Sequence, residues 1–248
     1  MQNGIMRLER DGPPESGLAR MTLDPADFQS PLPEQSIHVY FEDPQIGLSV
    51  GVWTTTDMQE TFGPYPGDEF MLVLEGRVEM VDGAGHAVPI ETGQSFVLRN
   101  AIPISWRQVG PMRKFFLLLN DPAAPVPQLD SAEGGVIVLD ENALAAAAKP
   151  EAESIGGGAQ RDAHVFTNDA GTMTVGLWES TAFESAMQPF GVHEFCQILQ
   201  GRVAITEEDG TRHDFEAGDV FFVPRGCVCS WAADGPVRKY YAQVHTPS

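Results

Sequence analysis

Apolar residues fall in short runs of strand length, each bounded by turn residues, along almost the whole chain. In MLVLEGRVEMV, residues 71–81, and in CQILQGRVAIT, residues 196–206, a glycine divides two such runs. The second run alternates: Val78 and Met80 fall on one face, Arg77 and Glu79 on the other. These segments predict β-hairpins, with tight turns at Asp82-Gly83 and Asp209-Gly210. Only ALAAAAKPEAESIGGGAQ breaks the pattern; it predicts a short helical turn stopped by Pro150, then a glycine-rich linker at Gly156 to Gly158. Six to eight strands per unit can bury their apolar faces as a barrel or a two-sheet jelly roll.

The pattern occurs twice. VGVWTTT around Trp53 returns as VGLWEST around Trp178, and GPYPGDEFMLVLEGRV returns as QPFGVHEFCQILQGRV. Glu69 is answered by Glu194, 125 positions on. The same offset relates Gly76 to Gly201, Gly93 to Gly218, Trp106 to Trp231 and Arg113-Lys114 to Arg238-Lys239, with no gap. Loop lengths drift first in unrelated segments, so this register points to gene duplication and to two domains, 1–130 and 131–248. Upstream, Leu23-Asp24 pairs with Leu139-Asp140, an alignment that puts nine extra residues in the second copy.

Composition narrows the functions. The 15 Lys and Arg against 35 Asp and Glu leave a formal charge of −20, which disfavours nucleic acid and anionic membranes as partners. The opening MQNGIMRLERDGPPESG lacks the apolar core of a signal peptide, and no run approaches a membrane span, which points to the cytoplasm. Three cysteines, Cys196, Cys227 and Cys229, do not make a disulfide framework. No nucleophile elbow, phosphate loop or dinucleotide fingerprint is present.

In the second copy, Glu194 is followed after six residues by Gly201, and GDVFFVPRGCVCSW runs from Gly218 to Trp231. This arrangement resembles the two motifs of the cupin superfamily. The first copy departs from it, with Gln94 after Gly93 and Leu98-Arg99-Asn100-Ala101 in place of Val-Pro-x-Gly. The tryptophans, the DEF and HEF steps and the closing Arg-Lys pairs resemble the subfamily that includes (S)-ureidoglycine aminohydrolase and the ethanolamine-utilisation cupins. The resemblance implies an all-β chain of tandem RmlC-like jelly-roll barrels, two per chain, with short helical turns between them. It also implies association as a homodimer.

Most cupin enzymes hold a divalent metal by a His-x-His pair, the first-motif Glu and a later His. The corresponding places here are Gln188, Phe190, Glu194 and Cys229 in the second copy, and Gly63, Tyr65, Glu69 and Ile104 in the first. Gln188, Phe190, Glu194, Cys196 and Cys229, with Tyr65 and Glu69, are therefore the candidate ligand-binding residues. Gln188, Glu194 and Cys229 are the candidate set for a metal (Mn, Fe, Ni or Zn) in the second barrel. His193 is set back from it, because it flanks Glu194 and points to the opposite, solvated face. The tryptophans read as core, and the Arg-Lys pairs either temper the acidic surface or reach a carboxylate near the barrel. The leading expectation is a small-molecule pocket in the second barrel and a degenerate first one. The alternatives are a metal-dependent enzyme on a nitrogenous metabolite and a purely structural cupin.

Overall fold

The computed structural model describes residues 4–151 and 155–245. Nearly all regular structure is β. The single α-helix, Glu141–Ala147, is capped by Asp140, whose carboxylate accepts from the Ala143 amide at 3.0 Å. Among the described residues no helix is long and apolar enough to cross a membrane.

The chain divides into two compact units, Glu9–Leu139 and Asp140–Ser248 together with Met1–Leu8. The border falls nearer Leu139 than residue 130. Gly156, expected in a linker, lies inside the second unit in a 3-10 turn, where a Cβ would meet the Glu184 carbonyl at 2.2 Å. Each unit is a jelly-roll pair of antiparallel sheets, one of seven strands and one of five, the two-sheet form of the two arrangements expected. The two topologies are the same, and pairing repeats at the 125-residue offset. Glu69 lies opposite Leu98 and Leu118; Glu194 lies opposite Val223 and Gln243.

Position within the sheets explains the burial. Asp68–Glu75 and His193–Gln200 are inner strands with a neighbour on either side, and residues 68–73 and 193–198 are all buried. Ala87–Glu91 is an edge strand and buries only Ile90. Large apolar side chains fill each shell, including Phe96 in the first and Phe215 and Phe221 in the second.

The upstream alignment is corrected by strand pairing. Short edge strands Ala19–Arg20 and Lys149–Pro150 occupy the same place, with Ala19 opposite Ile37 and Lys149 opposite Asp162. Asp24 caps a 3-10 turn after its edge strand, whereas Asp140 caps a helix before its own, so the two caps are not equivalent. The extra length therefore belongs to the first copy, between Arg20 and Gln35. The residues ahead of each repeat also serve the other one: Met6–Arg7 pairs with Val220–Val223, and Val136–Val138 pairs with Ser95–Leu98. Arg7 fixes the first of these contacts, with its guanidinium 4.5 Å from the Phe215 ring centroid and paired with Asp219.

Backbone sign carries the remaining turns. Gly85 and Gly210 take the left-handed conformation in the two hairpins, so in the first it is Gly85 rather than Gly83 that closes the turn. Gly226 is left-handed at φ 85° within Val-Pro-x-Gly, and in the first unit Ala101 is forced into the same conformation at φ 64°. An L-residue there costs about 1–2 kcal/mol. Ala101→Gly is expected to stabilise the first unit by about 1 kcal/mol in urea unfolding. Gly201→Ala, whose Cβ would meet the Pro236 carbonyl at 2.1 Å, is expected to destabilise the second by more than about 2 kcal/mol.

Candidate ligand site

On the inner face of the first unit Glu69, Met71 and Val73 alternate along one strand, and Lys114, Phe116 and Leu118 along its neighbour. Lys114 lies opposite Val73, so its long side chain reaches diagonally across the sheet to Glu69, with Nζ 2.7 Å from Oε1. Lys239 reaches Glu194 in the same way. Both pairs are buried. Each ammonium also stands between two indole rings. Lys114 Nζ is 5.1 Å from the Trp53 centroid and 4.8 Å from Trp106; Lys239 Nζ is 5.1 Å from Trp178 and 4.6 Å from Trp231.

A buried carboxylate is stable only if its charge is matched and its lone pairs are filled. Here the charge is matched and every carboxylate oxygen accepts at least one hydrogen bond. Glu69 accepts from Lys114 on one oxygen and from the Tyr65 hydroxyl on the other. Glu194 accepts from Lys239 and from the Cys196 thiol on one oxygen, and from Gln243 Nε2 at 3.0 Å on the other. Burial by itself would lower the Lys239 pKa; the adjoining Cys196 and Glu194 groups outweigh it and hold the ammonium above its ordinary value.

Sequence reasoning placed the carboxylates and passed over the lysines as site residues. The signal was present in the repeated Arg-Lys step, where Lys114 and Lys239 occupy inward positions of strands that continue with alternating inward side chains. Arg238 differs from its neighbour: it pairs with Glu179 and Glu141, away from the cavity lining.

The lysine, the carboxylate and both tryptophans line a cavity in each unit. It measures about 410 Å³ in the second and about 200 Å³ in the first. Gln188, Phe190, Glu194 and Cys229 all border the larger one, with Gln188 exposed at its rim and opposite Cys229 in the sheet. Phe190 is stacked on Trp231 at 5.6 Å. Cys196 lies behind Glu194 and outside the lining. Tyr65 and Glu69 border the smaller cavity. The tryptophans, expected as core, are both core and cavity wall. His193, expected on a solvated face, is buried, stacks on Phe222 at 6.0 Å and accepts from the Arg225 amide at 3.2 Å.

Equivalent positions give the two cavities different chemistry. Asp162, Ser185, Tyr241 and Gln243 in the second stand where the first has Ile37, Glu60, Phe116 and Leu118. Burial raises the Tyr241 hydroxyl far above its usual range, with Asp162 adding to the effect. Burial and Asp162 together raise the Glu151 carboxyl at the mouth. In the first cavity burial lifts Glu60 to about 7; Lys114 opposes the shift, and Glu69 and Asp27 add to it. The folded pKa lies above the ordinary 4.5, so ionised Glu60 costs stability progressively as pH rises from 4.5 through about 7.

The donor set does not fit a metal ion. Both oxygens of Glu194 already accept hydrogen bonds, its charge is matched by an ammonium, and Gln188 is a neutral amide. Burial raises the thiols of Cys196, Cys227 and Cys229, Cys227 to about 12, so none is a thiolate at neutral pH. Among the described residues no group of three or more His, Cys, Asp or Glu is arranged to hold one.

Two stacked antiparallel sheets enclosing a cavity whose inner strand carries the Glu-x6-Gly step define a cupin fold. Residues 167–241 match the EutQ-like cupin domain family. A DUF861-family protein of unknown function from Pseudomonas syringae is similar over 98% of this chain and 100% of its own, at 25% identity and a TM-score of 0.77. Ylba from E. coli, also DUF861, covers 100% and 93% at 13% identity and a TM-score of 0.58. A salicylate 1,2-dioxygenase from Pseudaminobacter salicylatoxidans covers 84% and 76% at 15% identity and a TM-score of 0.58. The last two likenesses are of fold. No curated protein matches the chain in sequence.

Two measurements check this arrangement. Lys114→Met leaves Glu69 buried without its counter-charge and is expected to cost about 3 kcal/mol in urea unfolding, and adding Glu69→Gln should recover part of that loss. The three thiols should react with an aromatic disulfide reagent at least about a hundredfold more slowly in the native protein than after unfolding.

Proposed function

We propose that the chain is a small-molecule-binding protein of the cupin fold whose working pocket is the cavity of the second unit, and that it binds its ligand without a metal. The observation that carries this reading is the Lys239–Glu194 pair held between Trp178 and Trp231 at a cavity of about 410 Å³. That volume suits a metabolite-sized molecule.

The residues divide the work of recognition. Glu194 and Cys196 hold the Lys239 ammonium in place, leaving donor capacity for a carbonyl or carboxylate oxygen of the ligand. The rings of Trp178, Trp231 and Phe190 offer flat apolar walls for its body. Gln188 and Glu151 provide hydrogen-bonding groups around it. A metal-assisted reaction, the other expectation for such a fold, would need a free carboxylate and further ligands, and Glu194 is already committed.

Thermal unfolding in the presence of a metabolite panel tests the proposal. A ligand at a hundred times its Kd is expected to add about 2.7 kcal/mol to the stability of the wild type. Phe190→Ala, a half-buried position that leaves the Lys–Glu pair intact, should weaken that ligand about tenfold, and chelator treatment should leave it unchanged. Loss of ligand binding on chelation, restored by one divalent ion, would overturn the metal-free reading.

A further inference from the structure

The first unit carries a charge that nothing in it matches. Three charged side chains border its cavity, Glu60, Glu69 and Lys114. Lys114 is engaged by Glu69 at 2.7 Å and by Met71 Sδ at 3.0 Å, and the second oxygen of Glu69 is taken by Tyr65. Among the described residues no hydrogen bond reaches the Glu60 carboxylate. When Glu60 is ionised, the cavity holds one surplus negative charge. The cavity wall also includes Ile37, Met58 and Leu118, which are hydrocarbon or thioether, and the amide of Gln35.

The second unit shows that the fold does not require this carboxylate. The equivalent residue there is Ser185, whose hydroxyl accepts from the Trp231 amide at 2.8 Å. The Lys–Glu pair forms in both units, with Glu60 in one and Ser185 in the other. Glu60, a half-buried side chain, is therefore not part of what holds the pair together.

We propose that the first cavity is a second, separate ligand site, for a compact organic monocation such as an alkylammonium or alkylguanidinium, whose N–H groups donate to the Glu60 carboxylate. The cavity of about 200 Å³ accepts a small molecule, and the apolar wall receives its short hydrocarbon part. The cation supplies the missing charge and fills lone pairs that the protein leaves open. The titratable groups that face Glu60 are Lys114, Glu69, Tyr65 and Asp27. Of these only Lys114 is cationic, and it is committed to Glu69. Burial raises the Glu60 pKa to about 7, and a cation held beside the carboxylate would lower it again.

Methylguanidinium, which stays cationic throughout the working range, is the probe. Its binding to the full-length chain is followed by tryptophan fluorescence, because Trp53 and Trp106 border the cavity. Saturable binding is expected, tightening about tenfold between ~pH 6 and ~pH 8 as Glu60 ionises. Glu60→Gln and Glu60→Ser should each abolish that binding and its pH dependence. Both should remain folded at ~pH 8, since each removes a half-buried charge. Phe190→Ala, in the other unit, should leave methylguanidinium binding unchanged, which separates this site from the proposed pocket of the second unit. Absence of saturable binding, equal binding by Glu60→Gln, loss of binding in Phe190→Ala, or equal binding of propionate would overturn the proposal.

Discussion

A lysine ammonium clamped between a carboxylate and two indole faces is the constraint around which each unit is organised. Removing two charges from water is costly, and attraction between them repays that cost only where geometry is good and every remaining donor and acceptor is filled. Beyond the lysine, Glu69 is bonded by Tyr65, and Glu194 by Cys196 and Gln243. The tryptophans contribute cation–π attraction of about 0.5–2 kcal/mol per contact while shielding the pair from solvent. Strand register fixes who meets whom, because Lys114 and Lys239 lie on the strands next to those of the two glutamates and point to the same face.

Once that pair is in place, the chemistry of each cavity is set by a few flanking positions. Three substitutions at equal register, Ile37 against Asp162, Phe116 against Tyr241 and Leu118 against Gln243, turn one wall from apolar to polar, and a fourth sets Ser185 where the first unit has Glu60. The polar wall accompanies the larger cavity. In the smaller cavity, among the described residues, no hydrogen bond reaches the Glu60 carboxylate, and burial raises its pKa to about 7. A common frame thus supports two different sites, which is how one fold hosts many functions.

Much of this architecture was legible along the chain. The alternation around Val78 and Met80 and the 125-residue repeat led to antiparallel jelly-roll units, because period and turn chemistry are local properties. Glu69 and Glu194 were placed in their cavities by the motif spacing. The edge strands Ala19–Arg20 and Lys149–Pro150 were not, since two residues carry no periodicity and only pairing identifies them. His193 was assigned to solvent by alternation, but the strand that carries it is covered on both faces, so the side opposite Glu194 is interior as well.

The sequence alone determined the number of units, their β character and the strand positions from which inward side chains project, because these follow from period, turn residues and register within a few neighbours. Tertiary structure decided what the inward groups do. It brought Lys114 to Glu69 and Lys239 to Glu194 across 45 residues of chain. It filled the carboxylate oxygens that spacing alone left open to a metal, and it protonated the thiols through burial. Charge balance inside a protein depends on every group that faces the same enclosed space, and that set is assembled only when distant strands pair.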